Sequence, residues 1–249
     1  MKLALVGDIG GTNARFALWK DQQLEAIEVH ATADYSCPED AIKAYLRDQG
    51  LALGAIGSVC LSVAGPVSGD EFRFTNNHWR LSRQAFCQAL QVDQLLLVND
   101  FSAMALGMTR LQPDEFRVVC EGVAEPLRPA VVIGPGTGLG VGTLLNFGDG
   151  RYMALPGEGG HVDLPLSSAR ETQLWQHIHD EIGHVSAETA LSGGGLPRCI
   201  GRSARWTAMS RGSRLRRPSP RPAWPATRSP GKCWSSSAAG WAGWRATTC

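Results

Sequence analysis

Short apolar runs punctuated by glycine-rich turns organise this chain. Leu3 to Val6 is apolar, Gly7-Asp8-Ile9-Gly10-Gly11-Thr12 follows, and Ala14 to Leu18 is apolar again, which predicts a strand hairpin whose glycine-rich tip contains Asp8. From Pro38 to Gly50 the apolar positions Ala41, Ile42, Tyr45 and Leu46 recur at helical spacing and stop at a glycine, the mark of a helix with a C-cap. Ile56 to Val63 reads as a strand running into Ala64-Gly65-Pro66, Ser82 to Leu90 as a helix capped by Ser82, and Leu95 to Val98 as a buried strand with Asn99 and Asp100 at its carboxyl end. The Ala, Met and Leu content of Phe101 to Leu111 predicts a helix leading out of a first domain. After the loops of Pro113 to Pro129, Ala130 to Ile133 is a strand entering Gly134-Pro135-Gly136-Thr137-Gly138-Leu139-Gly140, with Val141 to Leu145 as its return. Glu171 to Ile182 and Ser186 to Leu191 read as helices before Ser192-Gly193-Gly194-Gly195 breaks the pattern. No repeat recurs at solenoid period.

The chain has 249 residues, 43% of them hydrophobic, enough for two modest domains with a core each. The sequence holds no apolar run of the roughly 18 residues that cross a bilayer, and the segment after Lys2 lacks the apolar stretch of a signal peptide, so the expected location is cytoplasmic. Seven cysteines are scattered with no Cys-x-x-Cys pair, which favours reduced thiols over zinc or a redox couple. The net charge of +1 hides a sharp division. Every charged residue from Arg198 onward is basic, and the last acidic residue is Glu188, so the rest of the chain is strongly acidic.

Two glycine-tipped hairpins change the functional picture. A backbone that approaches phosphate oxygens closely needs glycine, because a Cβ would clash and successive N–H groups must converge. Neither tip carries the Gly-Lys-Ser/Thr of a Walker loop, and strands rather than helices follow both, unlike a dinucleotide fingerprint. The second tip taken alone could equally be a plain turn. Asp8 beside phosphates implies an intervening divalent cation, with an Asx-turn as the structural alternative. Asp100 stands where open α/β sheets place ligands and could accept a hydroxyl proton, or it could cap the helix that follows. Gly157-Glu158-Gly159-Gly160-His161-Val162-Asp163 sets a carboxylate and an imidazole on a polar loop suited to a polyol. Glu188 could join them or lie on a solvated helix face. With no second histidine at helical spacing, His161 is a poor metal ligand.

The segments Leu5 to Arg15, Asn76-Asn77-His78-Trp79, Val98-Asn99-Asp100-Phe101, Gly134 to Gly140, Leu155 to Asp163 and Glu181 to Glu188 together resemble the bacterial glucokinases, in order, over residues 3 to about 198. The resemblance implies an α/β, actin-like ATPase (ribonuclease H-like) fold in which two α/β domains close over a cleft for sugar and nucleotide. It sets the domains at 1–110 and 111–198, the second incomplete, with 199–249 as a basic tail outside the family. It implies transfer of the γ-phosphoryl group of ATP to the 6-hydroxyl of glucose, with Asp100 as the base. Asn99, Asp100, Glu158, His161 and Glu188 would bind the sugar. Gly10, Gly11, Thr12, Asn13, Gly136, Thr137 and Gly138 would face the phosphates, and Asp8 would orient Mg2+ through water. Glucose and ATP are the partners it implies, with a homodimer at full length and no nucleic acid or membrane. The alternatives are a kinase for another hexose or amino sugar, whose group carries a cysteine-clustered zinc motif absent from the sequence, or a sugar-responsive regulator without catalysis.

After Arg198 the family pattern gives way to tryptophans among Arg, Pro and Ser without periodicity. Codons compatible with Cys199 to Arg211, read one base earlier, can encode Leu-Tyr-Arg-Ala-Ile-Cys-Ala-Val-Asp-Gly-His-Glu-Pro, which resembles the expected helix. The same shift over Ser235 to Cys249 again yields a glucokinase-like segment. The tail therefore reads as out of frame, and the chain is expected to be poorly stable and weakly active or inactive. A nucleic-acid arm is the lesser reading, since scattered Trp and Pro form no recognition module.

Overall fold

A computed structural model describes residues 3–197 and 199, and the tail reading for 200–249 lies outside the described residues. Within them the chain forms two compact units: residues up to Ala130 with Thr143–Pro156, and Val131–Gly142 with the residues from Gly157 onward.

The first unit is built on a five-stranded sheet. Strands β1 (Leu3–Ile9), β2 (Asn13–Lys20) and β3 (Gln23–Ala31) form an antiparallel meander, while β1, β4 (Ile56–Val63) and β7 (Gln94–Asn99) run parallel, giving the order β3-β2-β1-β4-β7. Helices supply the crossovers. α1 (Pro38–Asp48) starts with Pro at its first position and ends before Gly50, whose φ of +68° only glycine adopts without strain. α2 (Arg83–Leu90) begins at Ser82, whose hydroxyl accepts the Ala85 N–H at 3.2 Å. Between β4 and α2 lies a two-stranded ribbon of β5 (Glu71–Arg73) and β6 (Arg80–Ser82). Leu5, Phe16, Ile42, Tyr45, Leu61, Trp79, Phe86 and Leu90 fill one core, each such side chain stabilising the fold by about 1.5–3 kcal/mol through removal from water.

α3 (Asp100–Gly107) leaves β7 directly and ends in a 3-10 turn at Met108–Arg110. A second sheet contains β8 (Ala130–Pro135), β9 (Leu139–Asn146) and β10 (Tyr152–Gly157) in the order β10-β9-β8. α4 (Ala169–Ile182) opens with a capping box of Ser168 and Glu171, and α5 (Ala187–Leu191) with one of Ser186 and Thr189.

One expectation is corrected. Asp8 does not lie in a loop: β1 continues through Gly7 and Asp8 to Ile9, and the turn is confined to the residues between Ile9 and Asn13. The cause is packing, because a Cβ at Gly7 would come within 2.8 Å of the Leu61 side chain, so this glycine serves close approach inside the sheet rather than a turn.

Candidate active site

Parallel pairing puts Asp8, Ser62 and Val98 in one row across β1, β4 and β7, with Ile9, Val63 and Asn99 in the next. Side chains within a row share a face, and Asp100 follows directly on Asn99 at the end of β7, close enough for its charge to act on Asp8. Asp8 and Asp100 thus come together at the carboxyl ends of three parallel strands, where open α/β sheets hold ligands. The electrostatics agree with this placement. Burial pushes the Asp8 carboxyl above the usual range and the Asp100 charge adds to the rise, while Arg15 and a hydrogen bond from Ser62 oppose it. Arg15 Nη1 lies 3.4 Å from Asp8 Oδ2, from the strand position directly opposite.

Asn99, rather than Asp100, caps the helix: its Oδ1 accepts the Ser102 N–H at 3.0 Å. Asp100 is the first helical residue, and its Oδ1 accepts from the Phe101 N–H at 2.9 Å and from Asn99 Nδ2 at 3.0 Å. These contacts fix the carboxyl group at the start of α3.

The first glycine tip is braced from below. Gly10 N–H donates to Asn13 C=O at 2.9 Å, Asn77 Nδ2 donates to Gly10 C=O at 3.1 Å, and Thr32 Oγ1 donates to Gly11 C=O at 2.9 Å. Gly11 has no room for a side chain, since a Cβ would stand 2.8 Å from Asn76 O. Trp79 anchors this support: it is fully buried, its Nε1 donates to Tyr35 C=O at 2.9 Å, and its N–H donates to Asn77 Oδ1 at 2.8 Å. The bracing by Asn77 and Thr32 and the bond from Ser62 to Asp8 are not visible in composition or spacing; only the family resemblance marked the Asn76-Asn77-His78-Trp79 segment.

The second unit gathers the remaining candidates. Gly136 N–H bonds Gly138 C=O, and Gly193 N–H bonds Gly136 C=O, each at 2.8 Å. Glu188 Oε2 accepts the Leu139 N–H at 2.8 Å and lies against Gly138, where any Cβ would overlap the carboxylate. The solvated-face alternative for Glu188 is thereby removed. Ala187 N–H donates to Val162 C=O at 2.8 Å, tying α5 to the loop of Glu158 and His161, whose side chains are 3.8 Å apart and largely exposed. Glu158, His161, Glu188 and the tip of Gly136, Thr137 and Gly138 thus form one neighbourhood.

Among the described residues no group of three His, Cys, Asp or Glu side chains could enclose a metal. Mg2+ does not require one, because it keeps several waters and is held through one or two carboxylates plus substrate phosphates. A partly buried Asp8 next to a glycine tip, with Asp100 nearby, fits that donor set.

A sequence model of the glucokinase family matches residues 5–214, past the point at Arg198 where the pattern was expected to end. The glucokinase of Pseudomonas paraeruginosa is 58% identical over 194 residues, 78% of this chain and 57% of that protein. A Pseudomonas aeruginosa glucokinase is 59% identical over 194 residues, covering 78% and 59%. The chain therefore spans less than three fifths of the length of these relatives. The crystal structure of a glucokinase from an Antarctic psychrotroph superposes with a TM-score of 0.72 at 32% identity, over 84% of this chain and 66% of that one. The glucokinase of Balamuthia mandrillaris in complex with glucose, at TM-score 0.63 and 24% identity over 85% of this chain and 64% of that one, shares the fold. The α/β architecture is that of the actin-like ATPases. On the family match, the ordered motifs and this fold, the chain belongs to the glucokinase family.

Proposed function

We propose that these residues serve ATP-dependent phosphorylation of glucose at its 6-hydroxyl. The observation that carries the reading is the pairing of Asp8 with Asp100 at the carboxyl ends of β1 and β7, next to a preformed glycine tip. Phosphoryl transfer asks little covalent chemistry of a protein and depends on positioning and charge neutralisation. Asp100, whose Oδ1 is positioned by the Phe101 N–H and Asn99 Nδ2, accepts the proton of the attacking hydroxyl. Asn99 keeps the start of α3 fixed, so the position of that carboxylate does not drift, and its amide also serves the sugar. Glu158, His161 and Glu188 offer acceptors and a donor to sugar hydroxyls. The backbone from Gly10 to Asn13 and from Gly136 to Gly138 faces the phosphates. Mg2+, organised by Asp8 through water, supplies neutralisation of phosphate charge. The names of the curated relatives support glucose over other hexoses. No helix among the described residues is long and apolar enough to cross a membrane, and we assign the enzyme to the cytoplasm with a homodimer as its full-length assembly.

The test couples glucose 6-phosphate formation to nicotinamide reduction and measures glucose binding by calorimetry on the same chain. Asp100→Asn should lower turnover by at least about 1,000-fold while glucose affinity changes less than about threefold. Turnover within tenfold of the parent, or a parent chain that neither binds glucose nor forms product, overturns the reading.

A further inference from the structure

The contact between Glu188 and the second glycine tip joins two functions that the sequence keeps 49 residues apart. Glu188 is the second residue of α5, and that helix is fixed at its start by the Ser186–Thr189 capping box and by the Ala187–Val162 backbone bond. Its Oε2 takes the Leu139 N–H at 2.8 Å, and the missing side chain of Gly138 makes room for the carboxylate. On the other side of the tip Gly193 N–H bonds Gly136 C=O, so one segment, 186–195, grips the turn at both ends. A charge-assisted bond to a backbone N–H is about twice as strong as a neutral one. Among the described residues Oε1 accepts no hydrogen bond, and it is left for a hydroxyl donor.

We propose that Glu188 is a positioning residue for the Gly136–Gly138 turn, and that a sugar hydroxyl on Oε1 thereby strengthens phosphate binding at that turn. The ligands in this statement rest on the glucokinase reading; the hold on the turn does not. The coupling has two physical sources. A hydroxyl donating to Oε1 restrains a carboxylate that already restrains the turn, so ordering the turn costs the nucleotide less. The same donor draws off negative charge that would otherwise face an arriving phosphate. Because coupling is reciprocal, nucleotide must tighten sugar binding by the same factor.

Two measurements on the full 249-residue chain decide it. In the absence of ligands, amide hydrogen exchange of the peptide over 134–140 should accelerate at least about tenfold at Leu139 in Glu188→Ala. It should stay within about threefold in Glu188→Gln, whose amide oxygen still accepts the N–H. In calorimetry, saturating glucose should tighten binding of a magnesium complex of a non-hydrolysable ATP analogue about tenfold in the parent and less than about twofold in Glu188→Ala. Gly138→Ala, which pushes the carboxylate off the turn while leaving Glu188 in place, should reproduce Glu188→Ala in both measurements. Unchanged exchange in Glu188→Ala overturns the positioning role. Coupling that survives both Glu188→Ala and Gly138→Ala overturns the link between sugar and phosphate. A parent chain that binds neither ligand sinks the glucokinase reading and the coupling together, while the exchange result still stands or falls alone.

Discussion

At the tip between β1 and β2, Gly10 and Gly11 are held by neutral groups, the Asn77 amide and the Thr32 hydroxyl, on a sheet with Leu5, Val6 and Ile9 buried beneath it. At the tip between β8 and β9 the holding group is an anion, Glu188, and the strand leading in has Val131 at 55% and Ile133 at 64% exposure. The apolar content of the two leading strands is similar, so the difference comes from what lies next to them. α1, α2 and the Trp79 segment cover the first sheet, whereas among the described residues β8 has a neighbour on one edge alone and little on its faces. The shape of the first tip is set by bonds within the chain itself. The second depends on a charged side chain brought in from α5.

The largest contrast should appear in stability. Trp79→Ala empties a fully buried site that packs edge-on against Phe74 at 5.9 Å and anchors Asn77, and should cost about 3–5 kcal/mol. Ile133→Ser, on the exposed strand, should change stability by less than about 0.5 kcal/mol. Urea midpoints of the two variants measure this directly. Comparable losses would mean that β8 is buried after all and that the contrast between the sheets is wrong.

A finer comparison uses the tips themselves. Gly11→Ala forces a Cβ to 2.8 Å from the Asn76 carbonyl oxygen, a backbone atom that cannot step aside cheaply, and should destabilise by about 1–3 kcal/mol. Gly136→Ala meets nothing within 4 Å and should be neutral to within about 0.5 kcal/mol. Thermal melts of the two variants sharpen the distinction between a tip packed from beneath and one gripped from the side. A melt of Gly136→Ala as low as that of Gly11→Ala would remove it.

How far the sequence led follows from the range of each signal. Local signals survived: the Ser82 cap, the Gly50 terminator and the β-branched and apolar positions of β4 all depend on neighbours within one or two turns. β3 escaped because Ala26, at φ +53°, and the register slip opposite Phe16 and Leu18 break its alternation. β10 was hidden by Pro156 and β5 and β6 by their three-residue length. At the site, residue types named the candidates, but their partners are long-range facts. That Ser62 and Asp100 both bear on Asp8 depends on β1, β4 and β7 being neighbours in a parallel sheet. That Glu188 holds Leu139 depends on a contact across 49 residues. Family resemblance supplied roles for these residues without the bonds that enforce them.

The smallest effect concerns a thiol inside the first sheet. Burial pushes Cys60 up from about 9 to about 12, while Cys120, beyond α3, is exposed. Below pH 9 the Cys60 thiol is protonated whether the chain is folded or not, and its contribution does not vary. Between pH 9 and 12 the unfolded chain releases the proton and the folded chain retains it, so folding stability falls as pH rises. From pH 8 to pH 10 the loss should be about 1 kcal/mol for this group. Cys60→Ala should make that part of the urea-midpoint profile less steep, the remaining slope coming from Cys37 and Cys87, which burial also pushes up. Iodoacetamide at pH 8.5 should label Cys120 well before Cys60, because only ionised, accessible thiols react. Equal labelling rates, or an alkaline profile indifferent to Cys60→Ala, would show that β4 is open to water, and the contrast of a packed first sheet with an exposed β8 would lose its basis.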